Sequence, residues 1–368
     1  MKEIVLFIRS LNSGGAERQL VVTAKGLAEL GHKVTVLTFY SGGAYENELS
    51  DCAVKLLSLN KKGRWDLISF FLRLIKLLRK QSPDVIYSFL GASNILAVLM
   101  RSFLPSMRVV WGVRSANVDL EQYDWLFRLS YWIECRLAKF ADIVIANSYA
   151  GLEYAVAHGF SEKNIVVIHN GIDTDHFQPD KSAGCRVRKE WGISESMCLV
   201  GVVGRIDPMK GHKIFLESVA LIKKDYPQMN FVCVGNGDEE YGQSMHKLSS
   251  ELGLDDSLIW AGSYSNMVAV YNALDLLVSS SYGEGFSNVI GEAMSCGVPC
   301  VVTNVGDSGL IVEGAGQVVL PNEPKLLADA ILMQLDVSGD GNLQRNMILD
   351  KYSIERLIEK TEEILCIQ

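Results

Sequence analysis

Two cations and two carboxylates in the second half of the chain have the types and spacing to hold a charged ligand. Glu284 and Glu292 stand eight positions apart and flank a Gly-Phe-Ser-Asn turn, which leads from an apolar run at 274–278 into a short helix. Ser287 and Asn288 are favoured N-cap types, and the first N–H groups of a helix have no internal partners. That turn is therefore expected to be an anion site. A phosphate fits against the backbone at Phe286 and Ser287, and Glu292, about one turn into the helix, can accept hydrogen bonds from a neighbouring ribose. Arg205 and Lys210 follow an earlier apolar run, each beside a glycine, Gly204 and Gly211. The plain alternative is that the two glutamates are exposed acids and the two cations routine surface charges.

These residues need strands that end where they begin. The first half alternates β-rich runs at 4–8, 33–39, 54–59, 84–90, 108–113, 142–147 and 164–169 with helical stretches at 16–30, 65–80, 92–103 and 120–140. A second series runs through 198–203, 230–234, 258–261, 274–279, 298–303 and 316–320, and helical segments near 323–336 and 353–366 close the chain. Alternation of this kind predicts parallel sheets covered by helices, an α/β protein, with ligands at the carboxyl ends of the strands. The polar, turn-rich segment after Gly171 predicts a linker over 173–195. The expected domains are thus 1–172 together with a closing helix 353–368, and 196–352.

Composition bounds the function. The 368 residues are 48% hydrophobic, enough for a core in each of two domains. The net charge is −8, which argues against a nucleic-acid partner. It is unevenly divided. Residues 1–175 carry 20 basic and 17 acidic side chains, and the remainder 15 and 26. Eight cysteines without a Cys-x-x-Cys pair predict free thiols in a reducing compartment and no metal site. Five apolar residues before Arg9 are too few for a signal peptide, and no uncharged run is long enough for a membrane span, so a cytoplasmic location is expected.

The Glu-x7-Glu spacing followed by Ala-Met-Ser-Cys-Gly-Val-Pro resembles the signature of family 4 glycosyltransferases, and the likeness runs along almost the whole chain. The resemblance implies the GT-B fold, two Rossmann-like domains facing across a cleft, with the last helix crossing back to the first domain. It implies transfer of a sugar from a nucleotide-sugar, commonly a UDP-sugar, with retention of configuration and without a metal ion. Arg205 and Lys210 would then neutralise the diphosphate leaving group, whose charge grows as the glycosidic bond breaks. Glu284 would orient the donor sugar and Glu292 bind the ribose. Gly235, at the end of the run 230–234, would shape the nucleotide pocket, and Ser263 and Tyr264 would contact the base. The loop 306–312 would border the donor sugar. Ordinary turn chemistry is the alternative for the segments at Gly235 and at 263–264.

The first half adds three features. Gly14 and Gly15 open the first helix, where glycine permits close approach of a ligand; the resemblance places the donor's phosphates and sugar there, and a simple turn is the alternative. The stretch 55–80 holds eight basic residues and one acid, Asp66, and helix 65–80 sets a polar stripe against aromatics and leucines. It could lie on an anionic bilayer or pack as an ordinary core helix. Many family members place a histidine after the run 108–113. This chain has none there, and Arg114, Ser115, Asn117 or Asp119 is the candidate replacement, with simple ion pairing the alternative for Arg114.

Similarity to bacterial enzymes of surface polysaccharides makes a saccharide or lipid-linked saccharide the expected acceptor. The competing readings are a nucleotide-sugar epimerase or phosphorylase of the same architecture, and a nucleotide-sugar-binding protein without turnover.

Overall fold

The structure is a computed structural model that describes residues 1–63, 65–114, 124–337, 339 and 341–367. The chain divides into two compact units, Met1–Gly171 with Ile354–Gln368, and Ile172–Ser353.

In the first unit the strands are β1 (Glu3–Ile8), β2 (Lys33–Thr38), β3 (Val54–Ser58), β4 (Val85–Phe89), β5 (Arg108–Val113), β6 (Ile143–Ala146) and β7 (Ile165–Val167). They form one parallel sheet in the order β3-β2-β1-β4-β5-β6-β7. The helices are α1 (Gly15–Glu29), α2 (Ile68–Gln81), α3 (Gly91–Met100), α4 (Trp125–Leu137) and α5 (Tyr149–Ala157). Strands such as β1 and β4 are buried along nearly their whole length, because a parallel sheet is covered on both faces. Helices α2 to α5 lie over one core, around Phe7, Leu74 and Trp111. The other core, around Leu6, Leu20 and Val110, is closed by α1 and by a final helix from the chain's end.

In the second unit α6 (Lys181–Glu190) precedes β8 (Leu199–Val203), α7 (His212–Asp225), β9 (Asn230–Val234), α8 (Glu239–Glu251), β10 (Leu258–Gly262), α9 (Met267–Ala273), β11 (Leu276–Ser279) and α10 (Asn288–Ser295). It continues with β12 (Cys300–Thr303), α11 (Ser308–Ile311), β13 (Gln317–Val319), α12 (Pro324–Asp336) and α13 (Asn342–Tyr352). The parallel sheet has the order β10-β9-β8-β11-β12-β13. Both sheets are doubly wound. Each reverses its strand order once, between β1 and β4 and between β8 and β11, and such a switch point opens a crevice at the strand ends.

The last helix, α14 (Ile354–Cys366), belongs to the first unit. Its apolar residues Leu357, Ile358 and Leu365 enter the core beside α1. Gly26 makes that approach possible, since a Cβ there would lie 2.4 Å from Ile358. His32 Nε2 meets Glu362 Oε1 at 2.9 Å on the same seam.

Several boundaries differ from the sequence reading. The expected linker 173–195 contains α6, packed within the second unit. Asp180 caps it by accepting from the Ala183 N–H, Gly184 lies so close to the Asn272 carbonyl that a Cβ would stand 2.1 Å away, and buried Arg188 pairs with Asp275 at 2.6 Å. A Ser-Ala-Gly stretch that reads as a turn is helical here because the glycine is a contact surface. The helices expected over 65–80, 92–103 and 120–140 begin or end elsewhere, at 68–81, 91–100 and 125–137. Asp124 supplies the cap that starts α4.

All eight cysteines are free. Burial pushes the Cys233 and Cys300 thiols well above their usual range and Cys296 up to about 12. Among the described residues, no helix is long and apolar enough to cross a membrane.

Candidate functional site at the strand ends of the second unit

Lys210 and Glu284 meet at the switch point of the second sheet. Lys210 lies between β8 and α7, and Glu284 between β11 and α10. Lys210 Nζ stands 2.6 Å from Glu284 Oε1, and the Ser281 hydroxyl donates to the same oxygen at 2.7 Å. The pair is largely screened from water, with side-chain exposures of 28% and 11%, so its charges interact more strongly than on an open surface. A small depression beside them is lined by Lys210, Ser280, Ser281, Glu284 and Ser287. It thus brings one cation, one carboxylate and three serines together close to the start of α10.

The loops that form this rim are locked backbone to backbone. Gly211 has φ +66°, and a Cβ there would fall 1.9 Å from the Ser280 carbonyl oxygen. Gly235, at φ +138°, is pressed in the same way against the Gly204 carbonyl, and Gly306, at φ +55°, against that of Glu284. The Ser280 hydroxyl donates to the Gly211 carbonyl at 3.0 Å, and Thr303 Oγ1 donates to the Ser281 carbonyl at 2.6 Å. Glycine is required wherever the chain turns left-handed against a neighbouring carbonyl.

Ser287 occupies the N-cap of α10 and Asn288 its first turn. The expected capping bond is absent, because the Ser287 side chain accepts nothing from the helix. Its hydroxyl instead lines the depression, while Phe286 packs into the core against Tyr352. Glu292 is buried one turn further, where the Tyr271 hydroxyl donates to its Oε2 at 2.7 Å. Arg205 does not join Lys210. Its guanidinium reaches Asp207 at 3.0 Å and stays 71% exposed. Tyr264, expected at a nucleotide base, donates to Glu190 at 2.6 Å and accepts from Trp191 Nε1 at 2.7 Å, which ties it to the end of α6. Neighbouring Ser263 is exposed. Ser281, Asp207 and Tyr271 escaped the sequence reading; only Ser281, the last of three serines at the end of β11, carried any signal.

In the first unit, Gly14 is the N-cap of α1 and Gly15 its first residue. Arg114 directly follows β5, where it donates to the Tyr87 hydroxyl at 2.8 Å and to Asn170 at 3.1 Å, and it lies 4.7 Å over the Phe89 ring. It is built into the sheet edge, beyond simple ion pairing. Ser115, Asn117, Asp119 and Arg64 lie outside the described residues. The basic helix is also altered: Arg73 pairs with Asp66 at 2.5 Å and bonds the Leu59 carbonyl, leaving Lys76, Arg79 and Lys80 exposed. Its apolar residues divide, with Phe70, Leu74, Ile75 and Leu78 buried and Trp65, Leu67, Ile68 and Leu72 exposed.

Among the described residues, His32, Glu362 and Cys366 come close enough to hold a metal ion. The backbone N–H of Lys2 donates to His32 Nδ1, however, so the proton sits on Nε2 facing Glu362. A metal on Nε2 would need the opposite tautomer.

Two doubly wound sheets with a lysine–carboxylate pair at the second switch point define the class of protein. Residues 13–176 match the family described as Glycosyltransferase Family 4, and residues 198–336 match Glycosyl transferases group 1. The chain belongs to the family 4 glycosyltransferases and has the GT-B fold. It is 25% identical over 312 residues, 83% of this chain and 81% of the relative, to N-acetylgalactosamine-N,N'-diacetylbacillosaminyl-diphospho-undecaprenol 4-alpha-N-acetylgalactosaminyltransferase of Campylobacter jejuni. It is 24% identical over 299 residues, 79% of this chain and 77% of the relative, to the UDP-Gal:alpha-D-GlcNAc-diphosphoundecaprenol alpha-1,3-galactosyltransferase of Escherichia coli. Among solved structures, HepE of Anabaena in complex with UDP superposes with a TM-score of 0.86 at 22% identity, covering 99% of each chain.

Proposed function

We propose that this glycosyltransferase moves a sugar from a UDP-sugar to a saccharide carried on a lipid diphosphate, with retention of configuration and without a metal ion. The observation that carries this reading is the Lys210–Glu284 pair at the second switch point, beside the start of α10. A diphosphate entering there would draw Lys210 from Glu284, because two phosphate charges outcompete one carboxylate. Glu284 would then be released to accept from the hydroxyls of the donor sugar.

As the glycosidic bond breaks, negative charge grows on the departing phosphate. Lys210 and the α10 N-terminus stabilise it more in the transition state than in the ground state, and Arg205 swings in from Asp207 to add to them. Glu292, braced by Tyr271, is the ribose acceptor. The departing phosphate oxygen takes the proton of the acceptor hydroxyl on the same face, which preserves the anomeric configuration. The names of the Escherichia coli and Campylobacter jejuni relatives support a diphospho-undecaprenol acceptor, and the UDP in the HepE structure supports the nucleotide.

Such an acceptor lives at a membrane. The exposed cations Lys76, Arg79 and Lys80 with Trp65, Leu67, Ile68 and Leu72 suit peripheral contact with an anionic inner leaflet. A panel of nucleotides and UDP-sugars in a thermal-shift assay tests the donor site, since a ligand of the native state raises Tm by mass action. UDP should raise Tm, and a UDP-sugar that does so should turn over with a lipid-diphosphate-linked saccharide in EDTA, giving a product whose anomeric proton matches the donor. No shift with any uridine nucleotide overturns the donor assignment, and binding without turnover on such acceptors identifies a binding protein instead.

A further inference from the structure

Asp207 lies between the two cations of the second unit, two residues after Arg205 and three before Lys210, and its carboxylate oxygens have different partners. Oδ1 accepts from the Met209 N–H at 2.8 Å, which caps the short 3-10 turn Pro208–Lys210. Oδ2 takes the Arg205 guanidinium at 3.0 Å. One side chain thus holds both the turn that carries one cation and the head group of the other.

The backbone around it is fixed. The Ile206 N–H donates to the Asn236 carbonyl at 3.0 Å, and Gly237 lies on the Ile206 carbonyl, where a Cβ would stand 1.8 Å away. Within the turn, the Met209 carbonyl accepts from the Tyr282 N–H at 2.8 Å, and Gly211 beyond it is pressed on Ser280. A loop tied at both ends does not carry a cation inward as a body. Arg205 therefore approaches the depression beside Lys210 by turning about its own side-chain torsions, and that turn breaks the bond to Oδ2 while the Met209 bond stays. The two ion pairs also differ in strength. Lys210 and Glu284 are 28% and 11% exposed, whereas Arg205 and Asp207 are 71% and 24% exposed. Water weakens the second pair, so Arg205 is the first cation that an incoming diphosphate can draw away.

We propose that Asp207 is a positioning residue of the phosphate clamp: one oxygen shapes the turn that presents Lys210, and the other holds Arg205 aside until a diphosphate takes it. The proposal rests on the glycosyltransferase reading and adds to it a single residue that sets both cations.

The test is calorimetric titration of the full chain with UDP at low salt. Asp207→Asn keeps the cap, since Asn and Asp serve equally at that position, but frees Arg205. Its Tm should stay near wild type while UDP binds about two- to fivefold more tightly, the size set by an exposed ion pair. A residue with only a structural role would give no gain. In an Arg205→Met background the gain should disappear, because the latch has nothing left to hold. Asp207→Ala removes the cap as well, and should bind UDP at least fivefold more weakly than Asp207→Asn. Unchanged or weaker binding in Asp207→Asn overturns the latch. So does an equal gain in the Arg205→Met background, which would mean that the carboxylate repels the diphosphate directly. Equal affinity in the Ala and Asn variants removes the role of Oδ1. Wild-type protein that fails to bind UDP overturns the donor assignment and the latch together; wild-type binding without a gain in Asp207→Asn overturns the latch alone.

Discussion

The strand-end rims of the two units are built by opposite means. In the second unit the loops after β8, β9 and β11 are held by glycines pressed on carbonyl oxygens, so the backbone itself sets the positions of Lys210 and Glu284. In the first unit Gly43 presses on the Leu11 carbonyl in the same way, but the rim around Arg114 is made of side chains. Arg114 is stacked on Phe89, Leu90 is a non-glycine residue at φ 71°, and a hollow lined by hydroxyls and aromatics opens behind them. A ligand group common to every turnover, such as a nucleoside diphosphate, suits a site fixed by backbone. A variable saccharide suits one made of replaceable side chains.

Breaking the backbone lock should have the largest effect. Gly211→Val would need a left-handed β-branched residue 1.9 Å from a carbonyl, and a loss of more than about 3 kcal/mol of unfolding free energy is expected by urea denaturation. Near-wild-type stability would show that the rim relaxes easily. Lys210→Ala comes next, with an expected fall in kcat of about 10²–10³ and little change in Tm. Arg205→Ala should be milder in stability, within about 0.5 kcal/mol, because its pairing with Asp207 is exposed. Equal turnover in both variants and wild type would remove the phosphate clamp.

His212, wholly buried at the start of α7, sharpens the comparison through pH. Burial lowers its pKa to about 4, against the opposing charge of Asp207. The unfolded chain therefore binds a proton between pH 6.5 and 4 that the folded chain refuses, and stability is lost as pH falls through that window. His212→Leu should recover about 2–3 kcal/mol of that acid loss, measured as the difference in unfolding free energy between pH 7 and pH 4.5. An unchanged acid limb would place the proton elsewhere. The smallest effect is expected on the surface of the first unit. Replacing Lys76, Arg79 and Lys80 with Gln should weaken binding to anionic vesicles by about 1 kcal/mol per charge at low salt, and unchanged co-sedimentation would end the membrane reading.

The alternation of strands and helices and the strand ends of the second unit were legible in the sequence, because fully buried parallel strands are continuous apolar runs whose ends are marked by glycine; the strand order within each sheet was not. The residues at those ends were legible for the same reason, Lys210 and Glu284 among them. What escaped was each side chain's choice of partner, near or far in the chain. Arg205 turned to Asp207, Tyr264 to Glu190 and Arg73 to Asp66, and none of these choices has a periodicity. Helix α6 was hidden because its glycine packs against Asn272, a contact made across 88 residues of chain that no local pattern reveals.

The interlocked glycines also bear on how this enzyme could acquire a new sugar. A change at Gly211, Gly235 or Gly306 displaces two loops at once, so random drift through those positions is closed to it. Variation is left to side chains beside those loops that do not support them, such as Leu310 in α11, which is 41% exposed. A mutational library confined to such positions should keep folded members at high frequency, and changes of donor should arise there first.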